Sequence, residues 1–237
     1  MLLLGAVTEL ISFDKMSRFY ILEVSVVHKV IGNDFPQCIG LLKGYINELS
    51  NPLSLYSFAH RKGERIDYRP DLSAIKVGIK TQLTDLVSCS LGPGNDLLLS
   101  TKFKNIIKSF KTSPIQIFPA FLNRKSEIFK YWWIHFIYSL ERKVDYENSV
   151  FSHSDKKLEE KAKNIKSYNQ FLTFYDTEDK YGFIKSEKTI IKHKPLDFFV
   201  IGRFNQKHYV SERLKDVLSC EELSGFTFKK ADDVHFI

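Results

Sequence analysis

Residues 207–231, KHYVSERLKDVLSCEELSGFTFKKA, constrain the fold more than any other stretch. A short β-like run ends at Ser211, whose hydroxyl can accept a hydrogen bond from an orphan N–H of a first helical turn. Leu214, Val217 and Leu218 follow at i, i+3 and i+4, a single apolar stripe. Gly225 can take the positive φ that closes such a unit. Phe226 and Phe228 then alternate with Thr227 and Lys229, the period of a half-buried strand. The stretch predicts strand, capped helix, turn, strand. The same order recurs earlier. When LLSTKFKNIIK is set against YVSERLKDVLS, Ser100 falls on Ser211, Lys102 on Arg213, Phe103 on Leu214, Ile106 on Val217 and Ile107 on Leu218. IQIFPAF then stands where GFTFKKA stands. Both units are expected to share local structure; the sequence leaves a true duplication open, because Ser-capped helices also recur by chance.

Short strands are expected around these units. Residues 18–28 alternate Tyr20, Leu22, Val24 and Val26 on one face with Phe19, Ile21, Glu23 and Ser25 on the other. CIGLLKGYINELSNP reads as a short helix before Pro52, LSLYSFAH (53–60) as a strand, and IKVGIKTQLTDLVSC as one or two strands. GPGND at 92–96 is a turn. IFKYWWIHFIYSL (128–140) fits strand or buried helix by periodicity, and its aromatic and β-branched residues favour the strand. SHSDKKLEEKAKNIKSYNQFL predicts a charged helix capped by Ser154 or Asp155, with Leu158, Ala162, Ile165 and Asn169 inward. A hairpin around DTEDKYG and short strands in KTIIKHK and DFFVIGRF follow. The sum is α+β: one compact domain of several short, mostly antiparallel strands and about four helices.

The chain has 237 residues, enough for one well-packed domain. Its 43% hydrophobic and 27% charged residues suit a soluble globular protein. The net charge of +7 comes from 35 basic against 28 acidic residues, a mixed surface with a basic bias. Cys38, Cys89 and Cys220 lack metal spacing and read as reduced thiols of a cytoplasmic protein. No run reaches the roughly 18 apolar residues of a membrane helix. MLLLGAVTELISFDK lacks the basic start of a signal peptide, and Glu9 interrupts its apolar run. Met16 is therefore read as the true start, or residues 1–15 as a loose extension of a domain spanning 16–237.

Chemistry-bearing residues are scattered. No histidine pair shows metal-ligand spacing. His153 lies beside Ser152, Ser154 and Asp155, but triad partners meet in space rather than in sequence. Asp145, Glu147 and Asp197 could hold a metal or act as a general acid, although acidic residues at turns more often cap or face solvent. Arg61, Lys62, Arg65 and Arg69 interleave with Tyr68, the composition of a phosphate-backbone binder; Glu64, Asp67 and Asp71 dilute it. Trp132 and Trp133 could anchor an interface, and core packing is the commoner use. No catalytic, cofactor, metal or partner-contact residue is assigned on these grounds.

Three stretches, in this order, resemble a bacterial immunity-protein family of polymorphic toxin systems, typified by a myxobacterial immunity protein and formerly a domain of unknown function. The first is LLLSTKFKNIIKSF followed by IQIFPA. The second is YWWIHFIYSL leading to VDYENSVF, whose Asp145 and Ser149 match an Asp-x-x-x-Ser element. The third is DFFVIGRF, with Phe198 or Phe199, then VSERL at 210–214 and the closing Gly-aromatic-x-Phe at 225–228. The resemblance covers about residues 97–231 and departs at the lysine-rich stretch 155–166 and the amino terminus. It implies a cytoplasmic binding protein, not an enzyme, without cofactor or metal. Its partner would be a cognate toxin, the carboxy-terminal domain of a secreted effector, contacted through variable surface loops. Two other classes stay open: a hydrolase built near Asp145, Glu147 and His153, and a nucleic-acid binder using residues 61–69 and the lysines of 156–166.

Overall fold

The computed structural model describes residues 18–45, 50–51, 53–59, 63–91, 96–154, 160–178 and 183–237. In chain order the elements begin with β1 (Phe19–Val24), α1 (His28–Ile31), β2 (Cys38–Leu41), α2 (Leu55–Ala59), β3 (Ile75–Val77), β4 (Leu86–Val87) and β5 (Leu97–Leu99). They continue with α3 (Thr101–Lys108), β6 (Ile115–Arg124), β7 (Glu127–Phe136), a 3-10 turn (Leu140–Lys143), β8 (Val150–Ser154), β9 (Glu160–Lys163) and α4 (Tyr168–Glu178). The last are β10 (Phe183–Ile191), β11 (Phe198–Phe199), β12 (His208–Ser211), α5 (Glu212–Cys220), β13 (Phe226–Ala231) and β14 (Val234–Phe236). They build three mostly antiparallel sheets, ordered β11-β12-β1-β13, β2-β3-β6-β7-β5-β4 and β14-β10-β8-β9, in a mixed α+β fold.

Both strand–cap–helix–strand units form. Ser100 and Ser211 are extended residues whose side chains accept from the amides of Phe103 and Leu214, each at 3.2 Å. This satisfies an orphan donor of each first turn. The likeness goes well beyond the helices. β5 and β6 flank β7, both antiparallel to it; β12 and β13 flank β1 in the same way. Each helix therefore carries the chain across a central strand, β7 or β1, that lies outside its own strand–helix–strand unit. The registers agree: Ile134 faces Leu97 and Ile117, and Leu22 faces His208 and Phe228. Outside them, β4 pairs Leu86 with Leu99, and β11 pairs Phe198 with Val210. The strand ends repeat too, with Ile137 N–H on the Pro114 carbonyl at 2.9 Å and Ser25 N–H on the Gly225 carbonyl at 2.8 Å. The four strands β4-β5-β7-β6 thus repeat β11-β12-β1-β13, the central strand coming last in one half and first in the other.

One core joins the halves. Phe103 and Ile107 of α3 and Leu214 and Leu218 of α5 bury with Leu97, Leu99, Ile134 and Phe136 of one half and Leu22, Phe198 and Val210 of the other. Rings meet across the junction: Phe103 against Phe226 at 5.3 Å, and Phe136 against Phe198 at 5.2 Å. Burying each such side chain contributes roughly 1.5–3 kcal/mol. The outer face of the first half, with Leu98, Phe118 and Trp133, is covered by Leu55 and Phe58 of α2 and by Ile66 and Leu72. The outer face of the second, with Phe19, Ile21, Phe199 and Tyr209, is covered by the third sheet and α4 through Phe151, Ile184, Ile191 and Phe171.

Several expectations are corrected. Residues 55–59 are helical rather than extended, because Ser54 caps them (Ser57 N–H on Oγ, 3.0 Å) and places Leu55 and Phe58 on one buried face. The stretch expected to hold a short helix before Pro52 opens instead with a strand, Cys38–Leu41, paired with β3; residues 46–49 and 52, where the rest of that expectation falls, lie outside those described. The strand expected over 18–28 stops at Val24, and Val26 is exposed. The predicted charged helix is the largest miss. Glu160–Lys163 is a strand paired with β8, and Asp155 and Leu158 lie outside the described residues. The helix starts instead at Tyr168 and runs to Glu178, into the expected hairpin around residues 176–182, of which 179–182 lie outside those described. Ser167 caps it by accepting from Gln170 N–H at 3.2 Å, and Gln170 accepts from Lys166 N–H at 2.8 Å. That resembles a capping box, with the return bond on the residue before the cap, and it is written in the sequence one turn beyond the charge pattern. Residues 1–15, Met16 and most of GPGND lie outside the described residues.

Candidate functional site

A cleft of about 420 Å³ lies where the two halves meet. Ile21–Val24 contribute one wall together with Gln206, Lys207 and His208; Val87–Cys89, Asp96–Leu98 and Trp133 contribute the other, and Val26 and Phe35 stand at its mouth.

Beneath it is a buried ion pair that sequence reasoning missed. Asp96 accepts from Trp133 Nε1 at 2.6 Å and from His135 Nδ1 at 2.8 Å, and Phe136 N–H points at it from 3.3 Å. His135 Nε2 lies 2.7 Å from the Glu64 carbonyl. Each ring nitrogen thus faces an acceptor when Asp96 is ionised, an arrangement that favours the protonated ring. Burial alone would push His135 below its usual range, but the Asp96 carboxylate and the Glu64 carbonyl hold it above. Burial pushes Asp96 above the ordinary carboxylate range, against the opposing pull of its three donors. Both acceptor sites of this pair are spent on fixed donors, so it organises the wall rather than presenting an acid to solvent.

Beside it lie the thiols of Cys38 and Cys89; their mutual interaction, with burial, pushes Cys38 up, and the same interaction brings Cys89 down against its burial. Gln37 locks the two segments together: its N–H donates to Ser88 Oγ (2.8 Å), and its side-chain carbonyl accepts from Ser88 N–H (2.9 Å). All three cysteines are free.

The residues singled out from sequence are not brought together. Ser152 and His153 are successive residues of β8 and point to opposite sides; Ser152 Oγ and His153 Nε2 meet no hydrogen-bond partner among the described residues. Asp145 begins a turn, accepts from Asn148 Nδ2 and Lys192 Nζ at 3.0 Å each, and is held below the carboxylate range by them. Ser149 donates to the Asp145 carbonyl (2.6 Å) and accepts from Ile190 N–H (3.0 Å), so the Asp-x-x-x-Ser element pins the turn to β10. Glu147 is exposed. Arg65 and Arg69 are exposed, while Arg61 and Lys62 lie outside the described residues. Trp133 is core; Trp132 is half-buried with Lys104 Nζ 4.0 Å from its ring.

Asp197 proves to be half of a reciprocal pair. It accepts from Ser211 Oγ (2.8 Å), Arg213 Nη2 (2.6 Å) and Lys111 N–H (3.0 Å). Burial pushes it up, but these donors outweigh that and hold it below the carboxylate range. Its counterpart is Asp85, which accepts from Ser100 Oγ (2.7 Å) and Ser224 N–H (2.9 Å). Each aspartate grips the capping serine of its own half and the loop after the helix of the other half. The signal was available in sequence, since an aspartate followed by two apolar residues precedes both aligned serines. A second groove, about 930 Å³, lies beside Asp197; Arg18 pairs there with Glu212, Arg213 with Asp197 and Lys230 with Asp232, and Lys111 is exposed on its wall.

No family model matches the chain, and no curated protein matches it. Among the described residues no group of His, Cys, Asp and Glu is placed to hold a metal ion, and no helix is long and apolar enough to cross a membrane.

Proposed function

We propose that this chain is an immunity protein that binds and neutralises a cognate bacterial toxin domain. The observation that carries the reading is the place of its motif residues. Ser100, Ser211, Gly225, Asp145 and Ser149 all serve one interlocked framework of caps, turns and paired loops. A family whose shared residues build a scaffold, and whose surface is left to vary, suits a set of binders for divergent toxins. The scaffold also offers a preformed cleft with exposed apolar residues at its mouth, as a binding surface requires.

The test is growth rescue. A candidate toxin, the carboxy-terminal domain of a large secreted protein chosen from the genes that neighbour this one, is expressed with and without this chain. Rescue together with a stable one-to-one complex is expected. Rescue without a complex would replace this reading with an enzyme that reverses the damage. Toxicity without rescue, or no toxicity, would leave the resemblance without functional meaning.

A further inference from the structure

We infer that Cys38 and Cys89 form a reversible disulfide that locks the six-stranded sheet closed, with Cys89 as the thiol that meets a peroxide and Cys38 as the thiol that resolves it. The inference stands apart from the immunity reading. β2 and β4 are the two outermost strands of the order β2-β3-β6-β7-β5-β4. The sheet curls until those edges meet: Cys38 N–H of β2 donates to the carbonyl of Ser88, the residue after β4, at 3.0 Å. Gln37 seals the seam beside it through Ser88, through Thr84 (Nε2 to Oγ1, 3.1 Å) and through the Gln82 carbonyl (2.7 Å). Segments joined by backbone bonds run roughly 5 Å apart, within the roughly 4.4–6.8 Å between α-carbons that a disulfide spans. The Cys38 side chain is part of the core under this sheet, and Cys89 packs against the same core. Each thiol is the largest influence on the other's ionisation, which places the two side chains side by side across the seam.

The two thiols differ as a peroxide-reactive pair must. Cys89 is half-buried on the wall of the inter-half cleft, where a small oxidant can enter, whereas Cys38 has 1% exposure. Their interaction brings Cys89 towards the thiolate, the reactive form, and holds the proton on Cys38. The Cys89 sulfur attacks one oxygen of hydrogen peroxide. The O–O bond breaks, and the other oxygen leaves as hydroxide, which takes back from solvent the proton that Cys89 released. Cys89 is then a sulfenic acid, oxidised by two electrons, and the peroxide is reduced. The Cys38 sulfur attacks the Cys89 sulfur; the S–O bond breaks, and the leaving hydroxide takes the Cys38 proton as a second water. The sum is two thiols and one peroxide to one disulfide and two waters. A small thiol in excess reverses it by exchange. The new bond closes a loop from Cys38 to Cys89 and staples a seam that otherwise rests on hydrogen bonds.

The experiment treats the purified, reduced full chain with hydrogen peroxide, blocks the remaining thiols and maps the cysteines by peptide mass spectrometry, for wild type, Cys89→Ser, Cys38→Ser and, as control, Cys220→Ser, whose thiol is exposed on α5. Wild type should give a Cys38–Cys89 cross-link that dithiothreitol removes, and the oxidised form should melt roughly 5–10 °C higher. Before oxidation, iodoacetamide should label Cys89 at least about ten-fold faster than Cys38. Cys38→Ser should stop at a Cys89 sulfenic acid, trapped by dimedone. Cys89→Ser should leave Cys38 reduced, and Cys220→Ser should cross-link as wild type. Cross-link, labelling and melting are all read on wild type, so the inference stands or falls without the variants. A wild-type chain that forms no Cys38–Cys89 link at doses that oxidise Cys220 would overturn it. So would faster labelling of Cys38 than of Cys89, a sulfenic acid on Cys38 in Cys89→Ser, or a cross-linked form that melts no higher than the reduced one.

Discussion

The halves β4-β5-β7-β6 and β11-β12-β1-β13 share registers, caps, aspartate pins and a common inner core, yet their outer surroundings differ. Where the first half has Asp96 and His135, the second has Lys207 and Glu23 at the equivalent register. Under the layer containing α2 the first pair is fully enclosed; Glu23 is exposed and Lys207 reaches Asp233 at 2.5 Å from the cleft wall. The lateral edges differ as well. β6 is paired on its outer side with β3, whereas β13 has no outer strand among the described residues and carries Lys229 and Lys230, charges that discourage edge pairing. The inner face, shared by both halves, tolerates only one pattern; the outer faces follow whatever covers them.

The comparison can be broken first at its sharpest contrast. Asp96→Ala should cost about 3–5 kcal/mol in urea denaturation, because it removes one partner of a buried pair and leaves His135 and Trp133 Nε1 without their shared acceptor. Lys207→Ala, at the equivalent place, should cost less than about 1 kcal/mol, since its pair is half solvated. Equal costs would mean that the covering layer does not set the value of these charges.

The shared core is tested next. Phe103→Ala and Leu214→Ala occupy matching sites with no exposure, and each should lose about 2–5 kcal/mol. A large loss at one site and a small one at the other would show that the two helices do not contribute alike.

Asp85→Asn and Asp197→Asn should each lose about 1–3 kcal/mol at neutral pH, as acceptors of several donors, Asp197 buried and Asp85 half-buried. For Asp197 the sign with pH is fixed by its depressed folded pKa. Its contribution is fully present above the unfolded value of about 3.9 and is lost as pH falls through the lower folded value. The gap in melting temperature between wild type and Asp197→Asn should therefore close in acid. A gap that stayed constant to the acid limit would exclude the charge of Asp197 as its source.

The smallest effects belong to the caps. Ser100→Ala and Ser211→Ala should each cost about 1 kcal/mol, or roughly 2–4 °C in a chain of this size. Because each serine also donates to its aspartate, combining Ser211→Ala with Asp197→Asn should cost less than the sum of the two. Strict additivity would separate cap from pin.

Sequence by itself determined the parts whose causes are local. Ser100 and Ser211 cap because a hydroxyl stands three residues before an i, i+3, i+4 stripe, and 128–136 is a strand because it is rich in aromatic and β-branched residues. The α+β class followed from those same local signals. Tertiary structure decided what depends on distant residues. That β1 enters between β12 and β13 is a matter of long-range pairing, and no local pattern encodes it. Glu160–Lys163 is a strand because β8 offers a partner edge, although its composition suits a helix, whose intrinsic preference is worth less than 1 kcal/mol per residue. Leu55–Ala59 is a helix because its Leu55–Phe58 face has a sheet to cover. The candidate site belongs wholly to this second class. Asp96 and His135 are 39 residues apart in sequence, and Val26, Phe35 and Cys89 reach the cleft from separate stretches. A surface assembled by long-range pairing leaves no spacing in the chain from which it can be read.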